Sequence, residues 1–127
     1  MSTEKANDTR IREIRDLFNP SDLEGSNDQI LSALNRFEKN TQRFIHHQGL
    51  AAVVKWHKSL YLQKARLFSR SEELLDEALT KLEEIDINEA LFQRWRLKTH
   101  LSLGYNHRAQ CNYLDAEFYL NEALKLS

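Results

Sequence analysis

The side chains with the widest chemical range are five histidines and one cysteine. Two metal ligands on one helix face must be three or four positions apart, whereas His100 and His107 are seven positions apart, and no histidine stands at ligand spacing from a carboxylate. The single cysteine, Cys111, excludes an internal disulfide and any multi-thiolate metal site. The sequence therefore predicts no metal site. The five histidines are His46, His47, His57, His100 and His107.

Catalytic patterns are missing from the sequence as well. The chain has only three glycines, all isolated, and it contains no Gly-x-Ser-x-Gly, no phosphate-binding loop and no dinucleotide fingerprint. The carboxylate pairs Glu72–Glu73 and Glu83–Glu84 lie at predicted helix ends, where solvated or capping charges are common. We therefore expect no catalytic residue and no cofactor, and we interpret the chain as a non-enzyme.

Charge placement is more informative than any single motif. The span from Glu38 to Glu72 has cations but no acid between its ends, and the span from Glu89 to Asp115 repeats this pattern. Residues 72–89 instead carry eight acids against one lysine, Lys81. Basic segments therefore alternate with acidic ones. The cations of the two basic spans are Lys39, Arg43, Lys55, Lys58, Lys64, Arg66 and Arg70, and Arg94, Arg96, Lys98 and Arg108.

The elements that carry these charges are predicted to be helices. One proline and three glycines in 127 residues are too few turn formers for a sheet protein, so we expect a single all-α domain over 1–127. The polar start shows no signal peptide, and no apolar run is long enough to span a membrane, which together with the lone cysteine predicts a cytoplasmic protein.

Helix boundaries follow from apolar spacing and from capping residues. Ser26 with Gln29 predicts a capping box opening a helix that ends near Gly49, and the next helix begins near Leu50 and runs to Phe68. Further starts are predicted at Ser69 with Glu72, at Asp86 with Glu89, and at Tyr113. The predicted layout is 1–9 disordered, 10–49 an N-terminal helical layer that includes a short helix ending near Phe18, 50–84 a first hairpin and 88–127 a second.

The two hairpins look like copies of one another. Ala78 and Ala123 are 45 positions apart in matching Glu-Ala-Leu triplets, whereas Tyr61 and Tyr105 are 44 apart. This difference predicts that one residue is gained or lost at the turn inside each hairpin.

The segment from Leu101 to Ser127 combines small and large residues at helical spacing: Gly104, Ala116 and Ala123, with Leu103, Tyr113, Leu120 and Leu124. It resembles a tetratricopeptide repeat (TPR), most clearly over 97–127 and more weakly over 50–84. The resemblance implies about five to six helices in antiparallel hairpins, stacked as a short right-handed solenoid with the N-terminal helices as a cap.

The same resemblance implies a binding surface. In such a stack the first helices line a concave groove, and Lys98, Leu101, Tyr105 and Arg108 match positions that face it. Arg94 continues their stripe along the helix, and Tyr61 and Lys64 would lie beside Tyr105 and Arg108. The predicted partner-binding residues are Arg94, Lys98, Leu101, Tyr105, Arg108, Tyr61 and Lys64.

Four interpretations of this pattern stay open at the level of sequence. A basic, aromatic groove suits an acidic peptide or protein segment, as in an adaptor, chaperone or regulatory domain. The same face could bind nucleic acid. An uncapped C-terminal helix could join copies of the chain as a homodimer. Finally, basic and acidic helices could simply neutralise each other through exposed ion pairs, with Trp56 and Trp95 as packing residues.

Overall fold

A computed structural model of the chain describes residues 25–44, 47–85 and 90–127. The predicted disordered start, the helix ending near Phe18 and the predicted start at Asp86 with Glu89 lie outside the described residues. Within them every regular element is helical, which confirms the all-α prediction. The elements are α1 (Asn27–Asn40), a 3-10 turn (Thr41–Arg43), α2 (His47–Lys64), α3 (Phe68–Glu83), α4 (Ala90–Ala109) and α5 (Tyr113–Leu126).

The predicted capping box opens α1, but the helix is shorter than expected. The Ser26 hydroxyl accepts a bond from the Gln29 N–H at 3.3 Å, and the Gln29 side chain accepts one from the Ser26 N–H at 2.9 Å. The helix then ends at Asn40 because Thr41 donates its hydroxyl to the Glu38 carbonyl at 2.7 Å and the chain tightens into the 3-10 turn. The predicted end near Gly49 is therefore wrong, since Gly49 lies inside α2.

The junction between α2 and α3 also differs from the prediction. Arg66 adopts a left-handed conformation with φ 62°. The Leu67 N–H bonds the Leu62 carbonyl at 2.9 Å and the Arg66 N–H bonds the Gln63 carbonyl at 3.0 Å, which is a Schellman closure. Helix α2 thus stops at Lys64 instead of running to Phe68, and the predicted cap at Ser69 is wrong because α3 already begins at Phe68.

The junction between α4 and α5 repeats this geometry. Cys111 has φ 63°, the Asn112 N–H bonds the His107 carbonyl at 2.7 Å, and the Cys111 N–H bonds the Arg108 carbonyl at 3.0 Å. Each of these residues stands 45 positions after its counterpart in the first turn. The predicted start of α5 at Tyr113 is confirmed.

The matching bonds fix the register of the two hairpins. The Tyr61 carbonyl accepts from the residue four positions on, as does the Asn106 carbonyl, so Asn106 and not Tyr105 is the counterpart of Tyr61. The offset is 45 on both sides of the turn, and the predicted gain or loss of one residue there is wrong. Ser59 therefore corresponds to Gly104.

Successive helices pack against each other in chain order. A first core joins α1 to α2, and a second joins the α2–α3 hairpin to the start of α4. Helix α5 packs on α4 as the second arm of the other hairpin. None of the described helices has the length and apolarity needed to cross a membrane. The first core contains Ile30, Ala33, Leu34, Phe37, Leu50 and Val54, and the second contains Ala52, Val53, Ala78, Leu82 and Phe92.

Candidate interaction surface

One face of α2 is covered by α4, and this contact joins the first hairpin to the second. A methyl group added at Gly49 would lie 2.4 Å from the Phe92 ring, and Val53 is buried in the same core as that ring. Further along, the Trp56 indole donates to the Ser102 hydroxyl at 3.0 Å.

The contact continues to the end of α2. The Trp56 and Trp95 rings lie 5.3 Å apart, edge to face. The Gln63 side-chain amide donates to the Asn106 side-chain oxygen Oδ1 at 2.5 Å. The face of α2 that receives α4 therefore consists of Gly49, Val53, Trp56 and Gln63.

The predicted stripe on α4 is the counterpart of that face. Moving 45 positions along the chain converts Gly49, Val53, Trp56 and Gln63 into Arg94, Lys98, Leu101 and Arg108. All four of these α4 residues are exposed, as is Tyr105 on the same stripe. The structure thus places the α4 members of the predicted site along one exposed stripe of α4, with the Lys98 side chain at its border with α2.

Helix α5 extends this exposed face with apolar side chains. Leu75 of α3 is fully buried, but its counterpart Leu120 is 42% exposed. Leu79 is half-buried, but its counterpart Leu124 is 72% exposed. We call the combined face the edge surface; it consists of Arg94, Lys98, Leu101, Tyr105 and Arg108 of α4 with Tyr113, Leu120 and Leu124 of α5.

Tyr61 and Lys64 lie apart from the edge surface. Tyr61 packs against the core between α1 and α2, and the Lys64 ammonium sits 5.0 Å from the Tyr61 ring centroid. Because α4 meets α2 at Trp56 and Gln63, the structure places these two predicted residues on the part of α2 next to α1. They are not brought together with Tyr105 and Arg108.

An aromatic cluster lies around the head group of Lys98, and no sequence pattern predicts it. The Lys98 ammonium lies 4.5 Å from the Trp95 ring centroid and 5.6 Å from that of Trp56. His57 packs against both indoles, with centroid distances of 5.1 and 5.8 Å. Burial, helped by the charge of Lys98, lowers the pKa of His57 to about 4. Trp56 and Trp95, predicted to be packing residues, thus also contact the Lys98 ammonium.

Two of the three lysines of α2, Lys55 and Lys58, are paired with carboxylates inside the molecule. Lys55 bridges Glu38 and Glu77, each at 3.0 Å, and Lys58 pairs with Glu38 at 2.8 Å. Burial opposes ionisation of Glu38, but the hydrogen bonds from Lys58 and Lys55 outweigh it and lower the pKa of this carboxyl. Ion pairs of Lys55 and Lys58 therefore join α2 to α1 and α3.

The cations of the edge surface behave differently. Among the described residues, Arg94, Lys98 and Arg108 form no ion pair with a carboxylate. Their charge faces solvent, so it remains available to a partner.

His107 lies beside two carboxylates. Its Nε2 lies 3.1 Å from a Glu72 oxygen and its Nδ1 3.9 Å from an Asp115 oxygen, but neither contact has hydrogen-bond geometry. The ring is buried and stacks on Tyr119 at 5.2 Å. Burial, assisted by Glu72, raises the pKa of Asp76 on the neighbouring turn. The described residues contain no group of three or more potential ligands that could hold a metal ion.

Comparisons with protein-family models, with curated proteins and with solved structures find no match. The resemblance to TPR therefore has no support beyond the residues that suggested it. Any functional conclusion rests on the geometry of the edge surface.

Proposed function

We propose that this chain is a non-catalytic protein-interaction module that binds an acidic segment of a partner protein through the basic stripe of α4. The observation that carries the proposal is the contrast between two sets of cations. Lys55 and Lys58 are paired with carboxylates at 3.0 Å or less, whereas Arg94, Lys98 and Arg108 are exposed and meet no carboxylate among the described residues. Unpaired cations on one face attract an anionic partner and speed its association.

A protein partner fits this face better than nucleic acid does. Leu101 and Tyr105 lie between the cations and are exposed, so the stripe alternates charge with apolar surface, as protein interfaces do. Three cations along the stripe would make few phosphate contacts, and the chain as a whole has a net charge of −1. Nucleic acid remains the alternative that the experiment below must separate.

The 45-residue repeat supports a further proposal about architecture. We infer that the hairpins stack as a short right-handed solenoid of TPR-like type, with α1 capping the end next to α2. A cytoplasmic setting for such a module is part of the same proposal, since its only cysteine is an exposed free thiol.

Peptide display tests the proposed function. Random 20-residue peptides selected on the immobilised chain should become enriched in Asp and Glu. The variant Lys98→Glu with Arg108→Glu should lose at least tenfold affinity for the selected peptides in fluorescence anisotropy, with unchanged helicity by circular dichroism.

The matched control reverses two exposed cations outside the stripe. Arg36→Glu with Arg70→Glu changes the net charge equally and should retain the peptides within twofold. Enrichment of neutral or basic peptides would contradict the proposal. A single-stranded oligonucleotide that binds more tightly than any selected peptide, with a steep loss of affinity in salt, would establish the nucleic-acid alternative instead.

A further inference from the structure

We propose that the edge surface binds its partner as an amphipathic helix, which lies across α4 and α5 as α4 itself lies across α2 and α3. The partner helix is acidic at both ends of the contact and apolar between them. The sign of its charge rests on the proposed function, whereas its helical form rests on the repeat geometry alone.

The two hairpins have equivalent turns and equivalent close approaches between their helices. Both turns are closed by the same pair of backbone bonds, from positions 66 and 67 in one and from 111 and 112 in the other. Both hairpins also approach closely at equivalent points. Ser71 donates to the Ser59 carbonyl at 3.0 Å; their counterparts are Ala116 and Gly104, and a methyl group added at Gly104 would lie 3.5 Å from the Ala116 carbonyl. The second hairpin therefore presents the same kind of face as the first.

The equivalent face is covered by a helix in the first hairpin and is exposed in the second. In the first hairpin it is covered by a helix, α4, which fills it with Phe92 and Trp95. In the second hairpin the same positions are exposed, and they include Leu101, Tyr113 and Leu124. A contiguous apolar face on a helical hairpin, rimmed by charge, is typical of a helix-binding site.

The positions at which α4 meets α2 predict the spacing of the contact residues along the partner helix. On α4, Phe92 meets Gly49 and Asn106 meets Gln63, and these two contact residues are fourteen positions apart. The counterparts of Gly49 and Gln63 are Arg94 and Arg108. A helix placed as α4 is placed would thus meet cations at i and i+14, about 21 Å apart at 1.5 Å per residue. Acids at these two positions would complement the edge surface.

The centre of the contact calls for apolar residues. Trp56 meets Trp95 and Ser102 on α4, and its counterpart is Leu101. In the same numbering these partner positions are i+3 and i+10, which share a helix face with i and i+14. The partner helix therefore carries aliphatic side chains at i+3 and i+10.

Charge argues against a second copy of this chain as the occupant. The edge surface as defined carries three exposed cations and no carboxylate; the exposed acids of α5 are Asp115 and Glu117, and Glu122 is paired with Lys125 at 3.0 Å. Two such faces brought together would place like charges in contact. An acidic helix from another protein removes that repulsion.

Two synthetic peptides of 20 residues test the inference. The first has Glu at i and i+14 and Leu at i+3 and i+10. The second has the same composition with its leucines moved to different helix faces. By anisotropy, the first should bind at least tenfold more tightly than the second and should gain helicity on binding.

Exposed leucines supply the variants. Leu101→Gln with Leu124→Gln should weaken the first peptide at least tenfold. Leu114→Gln, which changes the most exposed leucine of α5 on another side of the helix, should leave its affinity within twofold. Both variants change solvent-exposed side chains, so their helicity and unfolding midpoints should match those of the parent chain.

Different failures are distinguishable. If both peptides bind equally and only the Lys98→Glu, Arg108→Glu variant weakens them, the acidic function stands and the helical mode is overturned. If an uncharged peptide with the same leucines binds as tightly as the first and charge reversal has no effect, the helical mode stands and the acidic function fails. If neither peptide binds, the inference is overturned, and sedimentation showing a dimer that Leu124→Gln dissociates would make the occupant a second copy.

Discussion

Gly49 and Gly104 both lie where two helices approach, yet a methyl group would meet different neighbours at each. At Gly49 it would press on three carbons of the Phe92 ring at 2.4 to 2.8 Å, and that ring is buried and rigid. At Gly104 it would meet the end of Leu120 at 2.9 Å, and this side chain is partly exposed and able to turn away. The same substitution should therefore have different costs at the two sites.

We expect Gly49→Ala to lower the free energy of unfolding by about 1–3 kcal/mol, because the core between α2 and α4 would be overpacked. Gly104→Ala should be nearly neutral, since the gain in helix propensity of up to about 1 kcal/mol offsets the displacement of Leu120. Urea denaturation of both variants measures the difference. Equal stability of the two variants would mean that Phe92 can move.

His57 makes the stability of the folded chain depend on pH. Its pKa is lowered from the ordinary 6.5 to about 4 by burial and by Lys98, so the folded state favours the neutral ring. The unfolded chain therefore takes up a proton at His57 more readily than the folded chain does. As a result, the free energy of unfolding is highest above pH 6.5 and decreases as the pH falls toward 4. The shift corresponds to roughly 3 kcal/mol.

We therefore expect His57→Gln to flatten the fall in unfolding free energy between pH 6.5 and 4, compared with the parent chain. In the parent chain, Lys98→Gln should raise the pKa of His57 in an NMR titration, because it removes a nearby positive charge. A titration of His57 at its ordinary value would show that the ring is solvated.

The turn between α2 and α3 and the turn between α4 and α5 lack the glycine that usually marks the end of a helix in a sequence. Schellman closures usually carry glycine at the left-handed position, but here Arg66 and Cys111 occupy it. Without glycine the sequence has no stop signal, so apolar periodicity carried the predicted α2 onward to Phe68. The pair Ser69 and Glu72 then matched a capping box that the chain does not form.

At these positions glycine should be stabilising. Arg66→Gly and Cys111→Gly should each raise the free energy of unfolding by about 0.5–1 kcal/mol, because a side chain at positive φ is strained. As a control, Lys64→Gly, which lies within α2, should lower it. Thermal unfolding resolves both signs, and a loss of stability in the first two variants would show that their side chains contribute contacts that outweigh the strain.

The site was partly predictable from the same information. The spacing of Arg94, Lys98 and Arg108 places them on one helix face, and the structure confirms that all three are exposed. Which residues of the first hairpin lie beside this stripe was not predictable, because that depends on the register of the repeat. An alignment offset of 44 pairs Tyr61 with Tyr105, whereas the backbone bonds of the turns set the offset at 45.

At the scale of the whole molecule, the helices form a row in which each packs mainly on its neighbours in the chain. Contacts of this local kind allow one end to open while the middle stays folded. Helix α3 lies between α2 and α4, whereas α5 packs mainly on α4 and leaves Leu114, Phe118 and Leu124 exposed. Stability should therefore fall from the middle of the row toward α5.

Hydrogen exchange should detect this gradient. Amides of α5 should exchange through local opening at least tenfold faster than those of α3, and the acidic helical peptide should slow exchange in α5 more than in α1. Identical protection of α3 and α5 would indicate that the described helices unfold as one cooperative unit.

Cys111 lies in the turn that joins α4 to α5, next to the edge surface, and it is the only cysteine in the chain. Its thiol is exposed and, as a neighbour of Tyr113, raises the pKa of that phenol. A maleimide dye would therefore attach at a single position without any engineering of the sequence. Fluorescence from that position would report occupancy of the neighbouring face in real time and yield association rates as well as affinities.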